Sequence, residues 1–339
     1  MNPMLAICIP TYNRVAYLSV LLDSILSQVT SDISCKIEIC ISDNASEDRT
    51  AEVVHAYSNQ AICPIRYSKN ALNLGFDRNV LAVVGLASAD YCWIVGSDDL
   101  VAPGSIERLL SIISRVAPPD LLLFPRQDFF DVSSPGRIVH WLSTSGVDKG
   151  YFDFSRPDDF KEYLKCASGL GAGFSYIGSA VFKREEWLAI DSVENVLGSC
   201  YVHAFVIASM CLKGAKLVYL NDALILCRLG NDGFATSGRL LRVKLDFDAY
   251  LSFSRLLPLS ADLSKLYLNM LRKEHNYFNL FKHMCHPASI KDRYQLCRCL
   301  VDFGFGKVVY FIAALGGFSS FILGAVKRLF PRESQICRF

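Results

Sequence analysis

The sequence has little net charge. Over 339 residues, 35 Lys and Arg face 33 Asp and Glu, a formal +2. A protein held to nucleic acid by phosphate contacts needs a strongly basic surface, so that class is disfavoured. Internal repeats are lacking, and at 52% apolar and 20% charged residues the chain is too apolar to stay disordered. No G-x-G-x-x-G follows the first apolar run and no P-loop occurs, which speaks against a Rossmann dehydrogenase and a P-loop enzyme. Met1–Pro10 has no basic n-region, so no secretory signal is expected. The 13 cysteines, an odd number, sit singly in apolar segments (Cys8, Cys40, Cys92, Cys166, Cys227), and reduced, mostly buried thiols are expected. The densest group, His283, Cys285, His286, Cys297 and Cys299, has a spacing that matches no common C-x2-C zinc arrangement.

What is present is unevenly spread. Arg239–Phe339 holds 16 Lys/Arg against 7 Asp/Glu, or +9; since the whole chain is +2, the first 238 residues carry −7. An acidic body with a basic tail suits a protein lying against an anionic membrane. Val308–Val326 is a 19-residue uncharged run between Lys307 and Lys327-Arg328. That length just suffices to span a bilayer, but three Gly and two Ser favour membrane contact over true spanning.

The first hundred residues alternate between strand and helix patterns. Leu5–Ile9, Lys36–Ile41, Ile65–Lys69 and Asp90–Val95 read as strands. Between them, Leu18, Leu21, Leu22, Ile25 and Leu26 recur at helical spacing with Thr11 or Asn13 as cap, and Glu47–Tyr57 and Asp77–Ser88 are helical. This order predicts an α/β fold with a doubly wound, mainly parallel sheet. Farther on, Ser105–Val116 reads as a helix and Leu121–Phe124 as a strand. Gln127–Arg156 reads as a long loop or small hairpin, Phe174–Lys183 and Lys216–Cys227 as strands, and the chain from Arg239 as a helical, basic region. Three divisions are expected: residues 1–125, 126–238 and 239–339.

In such sheets ligands bind beyond the carboxyl ends of the strands. Three of those ends are polar: Pro10-Thr11-Tyr12-Asn13, Asp43-Asn44-Ala45-Ser46 and Ser97-Asp98-Asp99. Adjacent carboxylates repel, and a divalent cation with oxygen ligands, Mg2+ or Mn2+, would relieve Asp98-Asp99 and bridge a diphosphate. A plain turn or helix cap at Asp98-Asp99 is the structural alternative.

ICIPTYNR, ISDNASEDRT, NLGFDRN and YCWIVGSDD, in this order, resemble the family 2 glycosyltransferases of GT-A fold. The resemblance implies that residues 1–125 bind a nucleotide-sugar, with Pro10, Thr11 and Tyr12 lining the nucleotide pocket and Asp43 accepting a hydrogen bond from the base. It implies Arg78 near the diphosphate, and Asp98 and Asp99 holding ribose and metal. The family's common Asp-x-Asp-Asp is changed, since Gly96 replaces the first Asp. The segment from Gly171 to Trp187, Tyr201–Val206 and Cys227–Phe234 resemble enzymes that add 3,6-dideoxyhexoses, notably abequose, to bacterial O-antigen units. That implies a CDP-sugar donor and a mannose acceptor on an undecaprenyl-diphosphate-linked unit. It also implies that residues 126–238 bind the acceptor and that the enzyme works at the cytoplasmic face of the inner membrane. Phe174, Tyr176 and Phe234 would line an apolar sugar pocket or belong to the core. Inverting members carry a carboxylate base where this sequence reads Cys200-Tyr201-Val202-His203. His203 is therefore a candidate base or metal ligand or a core histidine, and Asp232 is a second candidate base or a turn residue. A transferase of another nucleotide sugar, such as a UDP-hexose, and a non-catalytic GT-A module stay open as alternatives.

Overall fold

The apolar runs at the start of the chain become the central strands of a sheet. A computed structural model describes residues 2–131, 134–143, 150–231, 238–286 and 288–317. β1 (Leu5–Thr11), α1 (Val15–Leu26), β2 (Ile37–Asp43), α2 (Thr50–Gln60), β3 (Ile65–Lys69), α3 (Phe76–Leu86) and β4 (Tyr91–Ile94) follow the predicted alternation. β1 and β2 are buried at every position, as expected of parallel strands covered on both faces. α1 turns Leu18, Leu21, Leu22 and Ile25 into that core. Its cap differs from expectation: no side chain of the preceding turn caps it, and Asp48 Oδ2 accepts from Val15 N–H at 3.0 Å. The Asn13 side chain instead accepts from Glu47 N–H, so the β1 and β2 loops are tied together by reciprocal bonds.

After β5 (Leu100–Val101), α4 (Ser105–Ile113) and β6 (Leu121–Leu123), the chain leaves the simple alternation. β7 (Arg126–Asp131) and β8 (Ser134–Val139) form an antiparallel hairpin within the stretch expected to be a loop or hairpin. β9 (Tyr151–Asp153) and α5 (Pro157–Cys166) follow. The strand expected over 174–183 shortens to β10 (Ala180–Lys183), because 170–173 and 177–179 coil into single 3-10 turns and Phe174 takes φ 65°. α6 (Arg184–Leu188) and α7 (Val202–Leu212) come next. The expected strand over 216–227 is two: β11 (Lys216–Tyr219) and β12 (Ile225–Arg228) lie in different sheets.

One sheet runs β3-β2-β1-β4-β10-β6-β11-β9; the other runs β5-β12-β7-β8. β1 to β4 are mutually parallel, while β10 lies antiparallel between β4 and β6, so the sheet is mainly parallel but not wholly so.

The chain divides into two compact units, Met1–Asn231 with Ser252–Met270, and Asp232–Leu251 with Leu271–Phe339. The last helices are α8 (Arg239–Leu256), α9 (Ala261–Glu274), α10 (Tyr277–Met284) and α11 (Ile290–Asp302), and residues 308–317 are helical too. In the second unit Phe247 packs on Phe303 and Phe305, and a buried His275–Asp246 pair meets at 2.9 Å. Residues 318–326 of the uncharged run lie outside the described residues. Among those described, no helix is long and apolar enough to cross a membrane, and no three His, Cys, Asp or Glu gather to hold a metal.

Candidate active site

The register of the first sheet sets the site. Pro10 pairs with Ser42 and Thr11 with Asp43, so the β1 and β2 ends leave the sheet side by side. Ala45 and Asn13 both take left-handed φ, 65° and 50°, which folds these two loops over the strand ends. Asn44 is buried and binds the next loop: it donates to Asn73 Oδ1 at 2.8 Å and accepts from Leu74 N–H at 2.8 Å. Three loops that are far apart in sequence are thereby held as one rim.

Asp43 lies at the end of β2, fully buried. Ser46 N–H donates to its Oδ1 at 2.8 Å and the Tyr67 hydroxyl to its Oδ2 at 2.7 Å. Beside it, Thr11 is buried and its hydroxyl finds no partner among the described residues. Tyr12 is 42% exposed on the rim.

Asp98 and Asp99 follow β4 and are not an unrelieved pair. Arg14 Nη1 meets Asp98 Oδ2 at 2.6 Å, and Asn231 Nδ2 donates to the same oxygen at 3.0 Å. Asp98 Oδ1 has no protein partner among the described residues. Asp99 is buried, with both oxygens taken: Tyr176 donates its hydroxyl at 2.7 Å and Arg228 its backbone N–H at 3.1 Å. Burial, then the neighbouring Asp98 charge, pushes the Asp99 carboxyl up to about 7. Gly96 explains itself here. A Cβ on it would stand 2.9 Å from Asp99 Oδ2 and 3.3 Å from Asp98 Oδ1, so a side chain at this position displaces the pair.

Two more guanidiniums border these carboxylates. Arg228 donates from Nε to the Asp98 carbonyl at 3.0 Å and lies over the rings of Phe129 and Tyr17. Arg126 bonds Asp128 at 2.8 Å and lies over Tyr176 and Trp141. Gly171 lets Trp141 in: a Cβ there would come within 1.9 Å of the indole. Sequence reading passed over Arg14, Arg126 and Arg228. Arg14 closes the PTYNR run and Arg228 follows Cys227 in a quoted motif, but nothing in the linear pattern said that both converge on Asp98-Asp99.

The other expected residues lie elsewhere. Arg78, on α3, is half exposed and paired with Glu194 at 3.1 Å. The residue before it, Asp77, is buried and was missed. Its carboxylate accepts from Gly198, Cys200 and Val202 N–H at 2.7, 3.0 and 3.2 Å and so caps α7. That helix carries His203, buried, with Nε2 3.4 Å from the Ser175 carbonyl and its ring edge-on to Phe76. Of the three aromatics expected around a sugar, Phe174 packs in the core beside Tyr163 and Tyr176 serves Asp99. Phe234 and Asp232 lie outside the described residues.

A family model described as Glycosyl transferase family 2 matches residues 6–177, which holds all three rim loops and the Asp98-Asp99 turn. The chain belongs to glycosyl transferase family 2. It is 39% identical over 277 residues to the abequosyltransferase of Salmonella typhimurium, an alignment covering 80% of each chain. It is 32% identical over 109 residues to the chondroitin synthase of Pasteurella multocida, covering 32% of this chain and 11% of that one. Among solved structures, S. aureus TarS 1–349 superposes with a TM-score of 0.62 at 15% identity, covering 99% of this chain and 93% of the other. The mannosyltransferase from Pyrobaculum calidifontis, solved with GDP-Man and Mn2+, superposes at 0.57 and 15% identity, covering 98% and 88%. The fold is therefore GT-A, and the family 2 enzyme is a hexosyltransferase.

Proposed function

We propose that this glycosyltransferase moves a 3,6-dideoxyhexose, abequose first, from a CDP-sugar to the mannose of an undecaprenyl-diphosphate-linked O-antigen unit. The observation that carries the reading is the 39% identity to an abequosyltransferase over 80% of both chains. Residues 1–125 form the donor half, residues 126–238 the acceptor half, and residues 239–339 the part that meets the membrane's cytoplasmic face.

The donor end is supported by Pro10, Thr11, Tyr12 and Asp43. Thr11 offers a buried hydroxyl without a protein partner, and each Asp43 oxygen keeps a second lone pair for a donor such as the cytosine amino group. Arg78 gives up little by turning from Glu194 to a diphosphate, because an exposed ion pair contributes at most about 1 kcal/mol. A divalent cation, Mn2+ or Mg2+, fits at Asp98, which keeps Oδ1 unpartnered; such ions commonly bind one or two carboxylates together with substrate phosphates. Asp99 contributes by fixing the turn through Tyr176 and the Arg228 backbone N–H, and its burial disfavours the charged form that a cation would need. A bound cation would neutralise charge on the departing nucleoside diphosphate. On the acceptor side His203 and Asp232 are the candidate bases for the attacking mannose hydroxyl. A positioned base contributes about 10²–10⁴ in rate, so His203→Gln and Asp232→Asn separate the two.

Thermal stabilisation by CDP, UDP and GDP, each with and without Mn2+, tests the reading. A hundredfold excess over Kd stabilises the folded chain by about 2.7 kcal/mol. The expected result is a shift with CDP and Mn2+ that exceeds the others. A larger shift with UDP or GDP discards the CDP-dideoxyhexose donor, and no shift with any nucleotide discards the catalytic reading.

A further inference from the structure

Three guanidiniums border the Asp98-Asp99 turn, and they are held in different ways. Arg228 is locked by a bond to a main-chain carbonyl and by the faces of two aromatic rings, 4.7 and 5.2 Å from its guanidinium carbon. Arg126 is locked by Asp128 and by two more rings. Arg14 differs in that no aromatic ring among the described residues lies against its guanidinium. Its Nη1 meets Asp98 Oδ2 at 2.6 Å, its Nη2 donates to the Asn231 carbonyl at 3.2 Å, and a quarter of its side chain faces solvent. Its backbone, by contrast, is fixed: the Arg14 carbonyl accepts from Tyr17 and Leu18 N–H at 3.0 and 2.9 Å, and the residue before it is tied to the loop after β2. Asn13 N–H donates to Ser46 Oγ at 2.8 Å, and Asn13 Oδ1 accepts from Glu47 N–H at 2.8 Å. A firm base with a side chain held mainly by charge is what a partner exchange requires.

The charge balance gives that exchange a direction. With no ligand, Arg14 neutralises Asp98. A cation at Asp98 Oδ1 would meet a like charge already bonded to the other oxygen of the same carboxylate. A nucleoside diphosphate arriving with it brings oxygens that suit the guanidinium fork. We propose that Arg14 exchanges partners, holding Asp98 in the empty enzyme and a diphosphate oxygen in the donor complex. Arg14 thus opposes cation binding when no nucleotide is present and assists nucleotide binding when the cation is there. The two ligands are coupled through one side chain, and the coupling is reciprocal. This rests on the donor reading above and adds a residue to it.

The test compares the full-length protein with Arg14→Gln and Arg14→Lys. Mn2+ binding alone is read by the electron paramagnetic resonance signal of free Mn2+; CDP and cytidine binding in Mn2+ are read by thermal shift. Arg14→Gln is expected to bind Mn2+ alone more tightly and CDP with Mn2+ about tenfold or more weakly, with cytidine affinity unchanged because cytidine has no phosphate. Arg14→Lys keeps the charge and loses the fork, so Mn2+ alone should bind as in the parent while CDP still weakens. Mn2+ affinity that stays level or falls in Arg14→Gln overturns the competition with the cation. Unchanged CDP affinity, or a cytidine loss equal to the CDP loss, overturns the diphosphate contact. A parent protein that binds no nucleotide at all refutes the donor reading and the diphosphate half of the exchange with it. The Mn2+ comparison then still decides whether Arg14 competes for Asp98.

Discussion

Asp77→Ala should unseat the start of α7. In the native chain three backbone N–H groups, from Gly198, Cys200 and Val202, converge on one buried carboxylate at 2.7, 3.0 and 3.2 Å. Two of the three donors themselves sit in left-handed backbone: Gly198 has φ 86° and Cys200 φ 63°. The carboxylate is what makes that path tolerable. Removing it leaves three donors without their acceptor, at about 1 kcal/mol each in net terms. It also removes a charge whose burial is unfavourable, since burial pushes the Asp77 carboxyl above its ordinary value despite the three bonds. The net loss is therefore about 2–3 kcal/mol. Asp77→Asn keeps one acceptor oxygen and should lose about half as much. Urea unfolding with an unchanged m-value measures both. A loss below about 1 kcal/mol for the alanine variant, or asparagine no better than alanine, would refute the role of Asp77 as the cap of α7.

Stability should also depend on the protonation of Asp99. Its carboxyl titrates near 7 in the folded chain against about 3.9 unfolded, so between these values the native state holds a proton that the unfolded chain has lost. Stability therefore falls as pH rises from about 4 to about 7, and Asp99→Asn should flatten that part of the profile; parallel profiles for the two proteins in urea would contradict the assignment. At Gly96, alanine should push the two carboxylates aside at a cost of about 1–3 kcal/mol and abolish nucleotide-induced stabilisation with Mn2+, and an unaltered thermal shift would show that the close approach has no bearing on the donor.

The order of elements in the first hundred residues was readable because apolar periodicity is a local signal. β1, β2, β3 and β4, with three helices between them, need only the period of two or 3.6 to declare themselves. Misreadings begin where tertiary contacts overrule the local pattern. The run Phe174–Lys183 is apolar enough for a strand. Its first half coils instead, around Gly171, whose missing side chain admits Trp141, and around Phe174 at positive φ. Lys216–Cys227 reads as one strand but turns between β11 and β12, which serve separate sheets. The expected cap on α1 failed for a similar reason, since its acceptor, Asp48, comes from a loop 33 residues away.

Fold class, family, the three polar strand ends and the presence of Asp43, Asp98 and Asp99 among them were all legible in the linear chain, because motif order and hydrophobic period are properties of the chain. How those carboxylates are satisfied emerges only in the folded chain. Arg14, Tyr176, Arg228 and Asn231 reach the Asp98-Asp99 turn from across 77 to 133 residues. Asp77 caps a helix 125 residues away from it. Hydrogen bonds and ion pairs act over about 3 Å in space and carry no mark in sequence distance. Until the sheet brings those residues together, an acidic pair that looks bare is indistinguishable from one that its own protein has already neutralised.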